Sequence, residues 1–246
     1  MTVKDYIYEK VKKGTMHMTL LDPAKQSPEH AAEMAAVAES MDTDAIMVGG
    51  STGVTQENLD ATILAIKKRV KIPVIYFPSG AHAISPFADA MYFMSMLNSM
   101  VVENVILQQV KGAPIVKKIN VEPLSMGYII VEPGMKVGEV GKARPIPRNE
   151  PKTAAAFALA AEYMGMGLVY LEAGSGAPQA VPEEMIATCK KTITVPLIVG
   201  GGIRDAETAA RVRKAGADVV VTGTVVEDSD LGEDLRNLIK AAKGTA

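Results

Sequence analysis

Residues 196–203 read Pro-Leu-Ile-Val-Gly-Gly-Gly-Ile, and residues 219–224 read Val-Val-Val-Thr-Gly-Thr. Each stretch is a short apolar run, rich in β-branched residues, that ends in glycine. This pattern is typical of a buried parallel strand followed by a tight turn. Similar runs recur toward both ends of the chain and alternate with longer segments of helical pattern. Such alternation predicts a parallel sheet with helices packed outside it.

Eight runs qualify as strands. They are residues 16–22, 45–49, 73–77, 90–96, 128–131, 168–172, 196–200 and 219–223. Eight parallel strands close a barrel, whereas an open six-stranded sheet would leave two of the runs unexplained. The length of 246 residues also fits one barrel, which typically needs about 250 residues. We therefore predict an α/β fold, a (β/α)8 TIM barrel that forms one domain over residues 1–246.

Capping residues mark the predicted helices. Ser27 followed by Pro28 opens a helix that runs to about residue 41, because serine caps helices and proline suits the first helical position. Thr55 and Asp205 open two more helices, and the last helix is expected to start at residues 228–230.

Two connections depart from this regular pattern. The connection between strands three and four, within residues 79–99, is too short for a full helix, so we expect a compact turn. Residues 131–148 follow a strand and carry neither a helical nor a strand period. A long loop of this kind inside a compact barrel is usually functional or disordered. We interpret it as a lid over the active face.

The composition excludes several classes of function. A formal net charge of −2, an aromatic content of 4% and the absence of tryptophan argue against a nucleic-acid-binding protein. No segment approaches the roughly 18 apolar residues needed to span a bilayer, and no secretory signal follows Met1. The single cysteine, Cys189, rules out an internal disulfide and suits a reducing compartment. We predict a soluble cytoplasmic protein whose fifteen methionines mainly fill the core.

Glycine-rich turns follow the last three predicted strands. In (β/α)8 barrels the chemistry lies at the carboxyl ends of the strands, and phosphate sites recur after strands seven and eight. Glycines 200–202 let backbone N–H groups approach an anion, and the turn at Gly223-Thr224 presents further N–H groups. The turn at 174–176, Gly-Ser-Gly, would close the site from a third side. These turns predict a phosphate-binding site.

Carboxylates and a hydroxyl end other strands. Tyr170 and Glu172 alternate along one strand and so share a face, where Glu172 could accept a proton from a substrate hydroxyl. Asp22 ends strand one and Ser51 follows strand two, which suits Mg2+ shared with substrate phosphates. The alternative for Glu172 is a cap on the neighbouring helix, and the alternative for Asp22 is a helix cap or a turn residue. The three histidines form no metal cluster, and His17 is expected to be structural.

The most discriminating stretches together resemble one family. They are Leu20-Leu21-Asp22-Pro23, Gly49-Gly50-Ser51, Tyr170-Leu171-Glu172-Ala173-Gly174-Ser175-Gly176, Gly200-Gly201-Gly202-Ile203 and Gly223-Thr224. Over nearly its whole length the chain resembles the geranylgeranylglyceryl phosphate synthase family and its bacterial heptaprenylglyceryl phosphate synthase relatives.

The resemblance implies a prenyltransferase. It would transfer a geranylgeranyl group from geranylgeranyl diphosphate to the 3-hydroxyl of sn-glycerol 1-phosphate in archaeal membrane-lipid biosynthesis. It implies that Asp22 and Ser51 hold Mg2+, that Glu172 is the catalytic base, and that the protein is a homo-oligomer, a dimer or a hexamer. The implied substrate-binding residues are Tyr170, Leu171, Glu172, Ala173, Gly174, Ser175, Gly176, Gly201, Gly202, Gly223 and Thr224.

Two departures from the family pattern keep alternatives open. Ala24 stands where the family usually has a second aspartate, and residues 100–106 lack the basic residue expected there. One alternative is therefore a phosphate-binding barrel used as a scaffold without turnover. The other is a phosphosugar isomerase, epimerase or lyase on the same fold, although no strand is predicted to end in the lysine that a Schiff-base lyase needs.

Overall fold

Eight parallel strands form a closed barrel in the computed structural model, which describes residues 1–223 and 232–245. The strands follow one another in chain order, and the last pairs with the first. They are Met16–Leu21 (β1), Ala45–Val48 (β2), Val74–Tyr76 (β3), Ala90–Met96 (β4), Glu122–Ile130 (β5), Leu168–Glu172 (β6), Leu197–Gly200 (β7) and Val219–Thr222 (β8). The predicted (β/α)8 barrel is confirmed.

Helices surround the barrel between the strands. They are Val3–Val11 (α1), Pro28–Ser40 (α2), Gln56–Lys67 (α3), Gln108–Ile119 (α4), Met135–Val140 (α5), Pro151–Tyr163 (α6), Glu183–Thr192 (α7), Ala206–Lys214 (α8) and Glu233–Lys243 (α9). A π-helical segment, Glu103–Leu107, runs directly into α4. Among the described residues no helix is both long and apolar enough to cross a bilayer.

The predicted caps at Ser27, Thr55 and Asp205 are confirmed. Each side-chain oxygen accepts a hydrogen bond from the backbone N–H three residues further on, which satisfies a donor that the first helical turn leaves unpaired. The predicted start of the last helix at residues 228–230 lies outside the described residues.

The connection from β3 to β4 contains turns and bends and no helix, as predicted from its length.

Two predictions of secondary structure were wrong. Strand β5 begins at Glu122 rather than at residue 128, because the seven residues of β4 all find partners on it, starting with Ala90 opposite Glu122. Pro123 and the exposed Ser125 interrupt the apolar run and conceal the start of the strand. The segment 131–148 is not uniformly irregular, since it contains α5.

The apolar residues pack in two layers. Inside the barrel, Met16, Met18, Met47 and Met126 pack with the tyrosines of β4, β5 and β6. Outside it, two clusters of aliphatic and alanine side chains join the strands to the helices. Nine of the fifteen methionines are buried, which confirms their main role as core residues.

A buried polar cluster joins β1 to the start of β2. His17 alternates with the interior residues Met16 and Met18, so its side chain lies on the outer side of the strand wall. Its ring nitrogens contact the hydroxyls of Thr43 and Thr222 at 2.8 and 2.9 Å. Complete burial lowers the pKa of His17 to about 3, which leaves the ring neutral at pH 7 and structural, as predicted.

We expect His17→Gln to remove part of the acid sensitivity of the fold. In the unfolded chain the imidazole binds a proton below its ordinary pKa of 6.5, whereas in the folded chain it stays neutral down to about pH 3. Stability linked to this group is therefore lost as the pH falls from 6.5 toward 3, by up to about 5 kcal/mol. Denaturant unfolding of both proteins across this pH range measures the difference. Parallel pH dependences would contradict the assignment.

Candidate active site

A pocket of about 1270 Å3, part of it open to solvent, lies at the carboxyl ends of the strands. Five residues predicted from the sequence border it, namely Asp22, Ser51, Glu172, Ser175 and Gly223. They come from the ends of β1, β2, β6 and β8, so the closure of the barrel brings together groups that are far apart in sequence. This is the face on which barrels of this class carry their chemistry.

Glu172 is the last residue of β6 and is 6% exposed. Its Oε1 accepts the backbone N–H of Gly174 at 2.7 Å, and its Oε2 accepts the hydroxyl of Tyr128 at 3.3 Å. Burial raises the pKa of Glu172, while the hydrogen bonds from Gly174, Tyr170 and Tyr128 lower it in part. A carboxylate with a raised pKa that faces a pocket suits a general base.

Tyr128 is a residue of the site that was not predicted from the sequence. Its hydroxyl is fully buried, and both burial and the neighbouring Glu172 raise its pKa, so it keeps its proton and donates to the carboxylate. It lies opposite Tyr170 in the register of β5 and β6, and their rings meet edge to face at 5.2 Å. Phe77 contacts both rings at 5.5 and 5.8 Å. In a chain with 4% aromatic residues, tyrosines inside predicted strands were the available signal.

The glycine turns after β6 and β7 pack against each other. Gly201 has a φ of +84°, and a Cβ there would lie 2.5 Å from Oε1 of Glu172 and 2.6 Å from the backbone nitrogen of Gly174. Only glycine lets these two turns approach this closely. Gly176 accepts a hydrogen bond from Arg204 through its carbonyl, and Gly202 borders a second pocket outside the first.

Some predicted residues do not bring their side chains to the pocket. Leu171 and Ala173 alternate with Tyr170 and Glu172, and they pack in the apolar layer between strands and helices. Only their backbone can contribute to a site at the barrel mouth. The predicted residue Thr224 lies outside the described residues, so its position in the turn after β8 stays a prediction.

Asp22 and Ser51 line another corner of the pocket, where the turn after β2 packs against the turn after β1. Oδ1 of Asp22 accepts the backbone N–H of Ala24 at 2.9 Å. A Cβ on Gly50 would lie 2.3 Å from the same oxygen, so the turn after β2 runs directly against this carboxylate. Among the described residues no three His, Cys, Asp or Glu side chains form a metal-binding group. A carboxylate beside a hydroxyl nevertheless matches Mg2+, which takes few protein ligands and shares the rest with water and phosphates.

The rest of the pocket is mainly apolar. Its walls come from residues 77–84 after β3, from 91–96 on β4, and from the helical segment that contains Asn104, Gln108 and Gly112. Val137, Val140 and Gly141 of the segment predicted as a lid also line it. The pocket therefore joins a polar end at Glu172 and Asp22 to an apolar groove.

Known proteins match this chain over nearly its whole length. The sequence profile of the PcrB family matches residues 6–243. The chain belongs to the PcrB family. Among relatives in this family, geranylgeranylglyceryl phosphate synthase of Pyrococcus furiosus is 54% identical over 238 residues, which cover 97% of this chain and 95% of that protein. The enzyme of the same name from Methanothermobacter thermautotrophicus is 52% identical over 98% of both chains.

A solved structure gives the same family relationship. The crystal structure of (S)-3-O-geranylgeranylglyceryl phosphate synthase from Thermoplasma acidophilum in complex with sn-glycerol-1-phosphate superposes with a TM-score of 0.97 at 45% identity, and the match covers 100% of both chains. A thiamine phosphate pyrophosphorylase from Pyrococcus furiosus superposes with a TM-score of 0.60 at 16% identity over 98% of both chains, which shows the barrel fold alone.

We expect Gly201→Ala to destabilise the protein well beyond the cost of its backbone conformation. Gly165→Ala is the matched control, because Gly165 has a φ of +83° and open space where a Cβ would lie. The control should lose about 1 kcal/mol from left-handed strain, whereas Gly201→Ala should lose about 2–4 kcal/mol because its methyl group overlaps Glu172 and Gly174. Denaturant unfolding measures both losses, and equal losses would contradict the close packing of the two turns.

Proposed function

We propose that this chain is a prenyltransferase that joins sn-glycerol 1-phosphate to geranylgeranyl diphosphate through an ether bond. The single observation that carries this proposal is the buried carboxylate of Glu172 between glycine-rich turns, in a pocket that continues into an apolar groove. In the reaction the 3-hydroxyl oxygen of the acceptor bonds to C1 of the donor. The donor's C1–O bond to diphosphate breaks, and the hydroxyl proton passes to the enzyme.

The polar end of the pocket takes the glycerol phosphate. Backbone N–H groups of residues 175–176, 201–202 and 223–224 bind its phosphate, because glycine turns can present several N–H groups to one anion. Gly174 contributes through Glu172, to which its N–H donates. Ser175 and Gly223 border the pocket and support this assignment. Leu171 and Ala173 act only by holding the course of the strand, since their side chains point into the helical layer and the N–H of Ala173 donates to Gly200.

Glu172 orients the acceptor hydroxyl and takes its proton. The raised pKa of this carboxyl makes its ionised form a better base than an exposed glutamate, and the site keeps that form available through the donors of Gly174 and Tyr128. Tyr128 acts as a positioning residue, because its hydroxyl fixes one carboxylate oxygen and leaves the carboxylate aimed at the pocket. Holding both substrates in one pocket also removes much of the entropic cost of a bimolecular encounter.

The diphosphate of the donor binds at the corner formed by Asp22 and Ser51. These residues would hold Mg2+, and their oxygen ligands fit that ion. When bound, Mg2+ neutralises charge on the departing diphosphate. Lys25 lines the same corner. Ala24 has no side-chain oxygen, so Asp22 supplies the carboxylate of this turn.

The apolar groove takes the prenyl chain. Phe77, Ile84, Met91 and Met94 line it, and these side chains give a long hydrocarbon a continuous apolar wall. Methionine side chains adapt to a flexible ligand because they are unbranched and polarisable. The segment 131–148 covers one side of the groove through Val137 and Val140, which supports its interpretation as a lid.

The wider setting is also part of the proposal. The product would enter membrane-lipid biosynthesis in the cytoplasm, and the homo-oligomer, dimer or hexamer, implied by the family resemblance stays a prediction that sedimentation checks. The phosphosugar alternative finds no support beyond the fold, because an N-acetylmannosamine-6-phosphate 2-epimerase from Clostridium perfringens shares the barrel at only 15% identity, with a TM-score of 0.57 and 92% of this chain covered. A scaffold without turnover is the outcome that the following assay decides.

Incubation with sn-glycerol 1-phosphate, labelled geranylgeranyl diphosphate and Mg2+ tests the function, and a lipid-extractable labelled product is expected. Glu172→Gln should reduce kcat by at least about 100-fold because it removes the base. It should also leave the fold intact and raise its stability at pH 7, because it removes a buried charge whose pKa is raised by burial. Failure of the wild-type protein to form the labelled product would contradict the proposal. Full activity of Glu172→Gln would contradict it as well.

We expect Asp22→Asn to affect the donor end selectively. Loss of the carboxylate should lower kcat/KM for geranylgeranyl diphosphate by about 100-fold or more, because a charged metal ligand is replaced by a neutral one. The KM for glycerol phosphate should change little, and a higher Mg2+ concentration should be needed for half-maximal rate. Asp42→Asn is the control, because Asp42 is 74% exposed in the turn before β2, at the opposite end of the barrel. Equal effects on both substrates would contradict the assignment.

A further inference from the structure

Exposed apolar side chains concentrate on one part of the surface. Of the thirteen large apolar side chains that are exposed in the described chain, seven lie between residues 100 and 115. Met100, Val102 and Val110 are 69%, 62% and 59% exposed. We call the set Met100, Val101, Val102, Ile106, Leu107, Val110 and Val140 the apolar face. A patch of this kind on a water-soluble surface usually marks an interaction site.

Hydrogen bonds hold the two segments of the apolar face together. The backbone N–H of Met100 donates to the carbonyl of Lys142 at 2.8 Å, and the side-chain amide of Asn104 donates to the carbonyl of Gly141 at 2.7 Å. The turn after α5 is therefore fixed beside the π-helical segment. Val140, next to Gly141, is 44% exposed and extends the face across this junction.

The apolar face borders the mouth of the pocket. Asn104 and Gln108 line the pocket, whereas Ile106 and Val110 on the same helical segment are exposed. The segment thus has one side toward the proposed prenyl groove and another toward solvent. Val140 belongs to both, since it lines the pocket and is also exposed. A hydrocarbon chain that leaves the groove would meet this face first.

Basic residues outnumber acidic residues in the two segments that carry the apolar face. Segments 99–118 and 136–144 contain six basic and two acidic residues, although the whole chain has a net charge of −2. The basic residues are Lys111, Lys117, Lys118, Lys136, Lys142 and Arg144. Lys111 pairs with Glu103 at 2.6 Å and Lys136 with Glu139 at 3.2 Å, so the other four carry the positive excess. Exposed apolar side chains in segments with an excess of basic residues complement an anionic lipid surface. A second copy of the chain related by two-fold symmetry would instead place this positive excess against itself.

We propose that the apolar face docks the protein on an anionic lipid surface. The inference rests on the proposed function, because a substrate and a product with long prenyl chains reside in or near lipid. Docking would orient the pocket mouth toward the bilayer, so that the prenyl chain moves between lipid and groove with little exposure to water. The apolar side chains enter the interface, and the lysines and Arg144 contact the lipid head groups.

Vesicle flotation without substrates tests the docking separately from catalysis. The wild-type protein should bind phosphatidylcholine vesicles that contain phosphatidylglycerol, and the binding should weaken with added salt. The triple variant Val102→Glu, Ile106→Glu, Val110→Glu should bind at least about tenfold more weakly. It replaces apolar side chains with negative charges, which the anionic vesicle surface repels. Met164→Glu is the control, because Met164 is 68% exposed in the turn before β6, at the opposite end of the barrel.

Three results would overturn the proposal. They are absence of wild-type binding to the anionic vesicles, equal binding by the triple variant, and a loss equally large in Met164→Glu. If the wild type does not bind vesicles and the triple variant sediments as a smaller species than the wild type, the apolar face is an interface with a second copy of the chain. Activity on a short, water-soluble prenyl diphosphate separates membrane docking from catalysis. The triple variant should keep this activity. Absence of the activity in the wild type would count against the proposed function.

Discussion

The buried carboxylate of Glu172 is the group on which the rest of the site depends. Its charge is tolerable inside the barrel mouth because Gly174, Tyr170 and Tyr128 donate hydrogen bonds to it. That arrangement constrains its neighbours, since Gly201 has no room for a side chain beside Oε1. Tyr128 pairs with Tyr170 in the register of β5 and β6, and from this position its hydroxyl reaches Glu172. The packing of β5, β6 and β7 and the chemistry of the site thus depend on the same carboxylate.

The pocket gains its character from the contrast between its two ends. At one end the pocket is lined by glycine turns and by the carboxylates of Asp22 and Glu172. At the other end methionine and aromatic side chains form an apolar groove. A phosphate-bearing acceptor and a hydrocarbon donor need this combination, because a uniformly polar pocket would reject the chain. The groove then opens at the apolar face, where the helical segment from Glu103 to Ile119 separates pocket from solvent.

The sequence predicted the barrel and much of the site for clear physical reasons. Buried parallel strands are continuous apolar runs, and glycine is required where turns approach an anion or each other, so both leave strong patterns. Strand β5 was shortened because Pro123 and Ser125 interrupt its run. Tyr128 was missed because its role depends on register with Tyr170, which no local pattern encodes. Leu171 and Ala173 were included by motif, although strand alternation directs their side chains outward.

The pH dependence of kcat/KM in the wild type and in Tyr128→Phe tests the central claim most directly. If Glu172 is the base, activity should fall as the pH drops through a pKa above the ordinary value of 4.5. Removing the tyrosine donor destabilises the carboxylate, so the same limb should move to higher pH in the variant. An acid limb at the ordinary value, or one that the substitution leaves in place, would contradict the account.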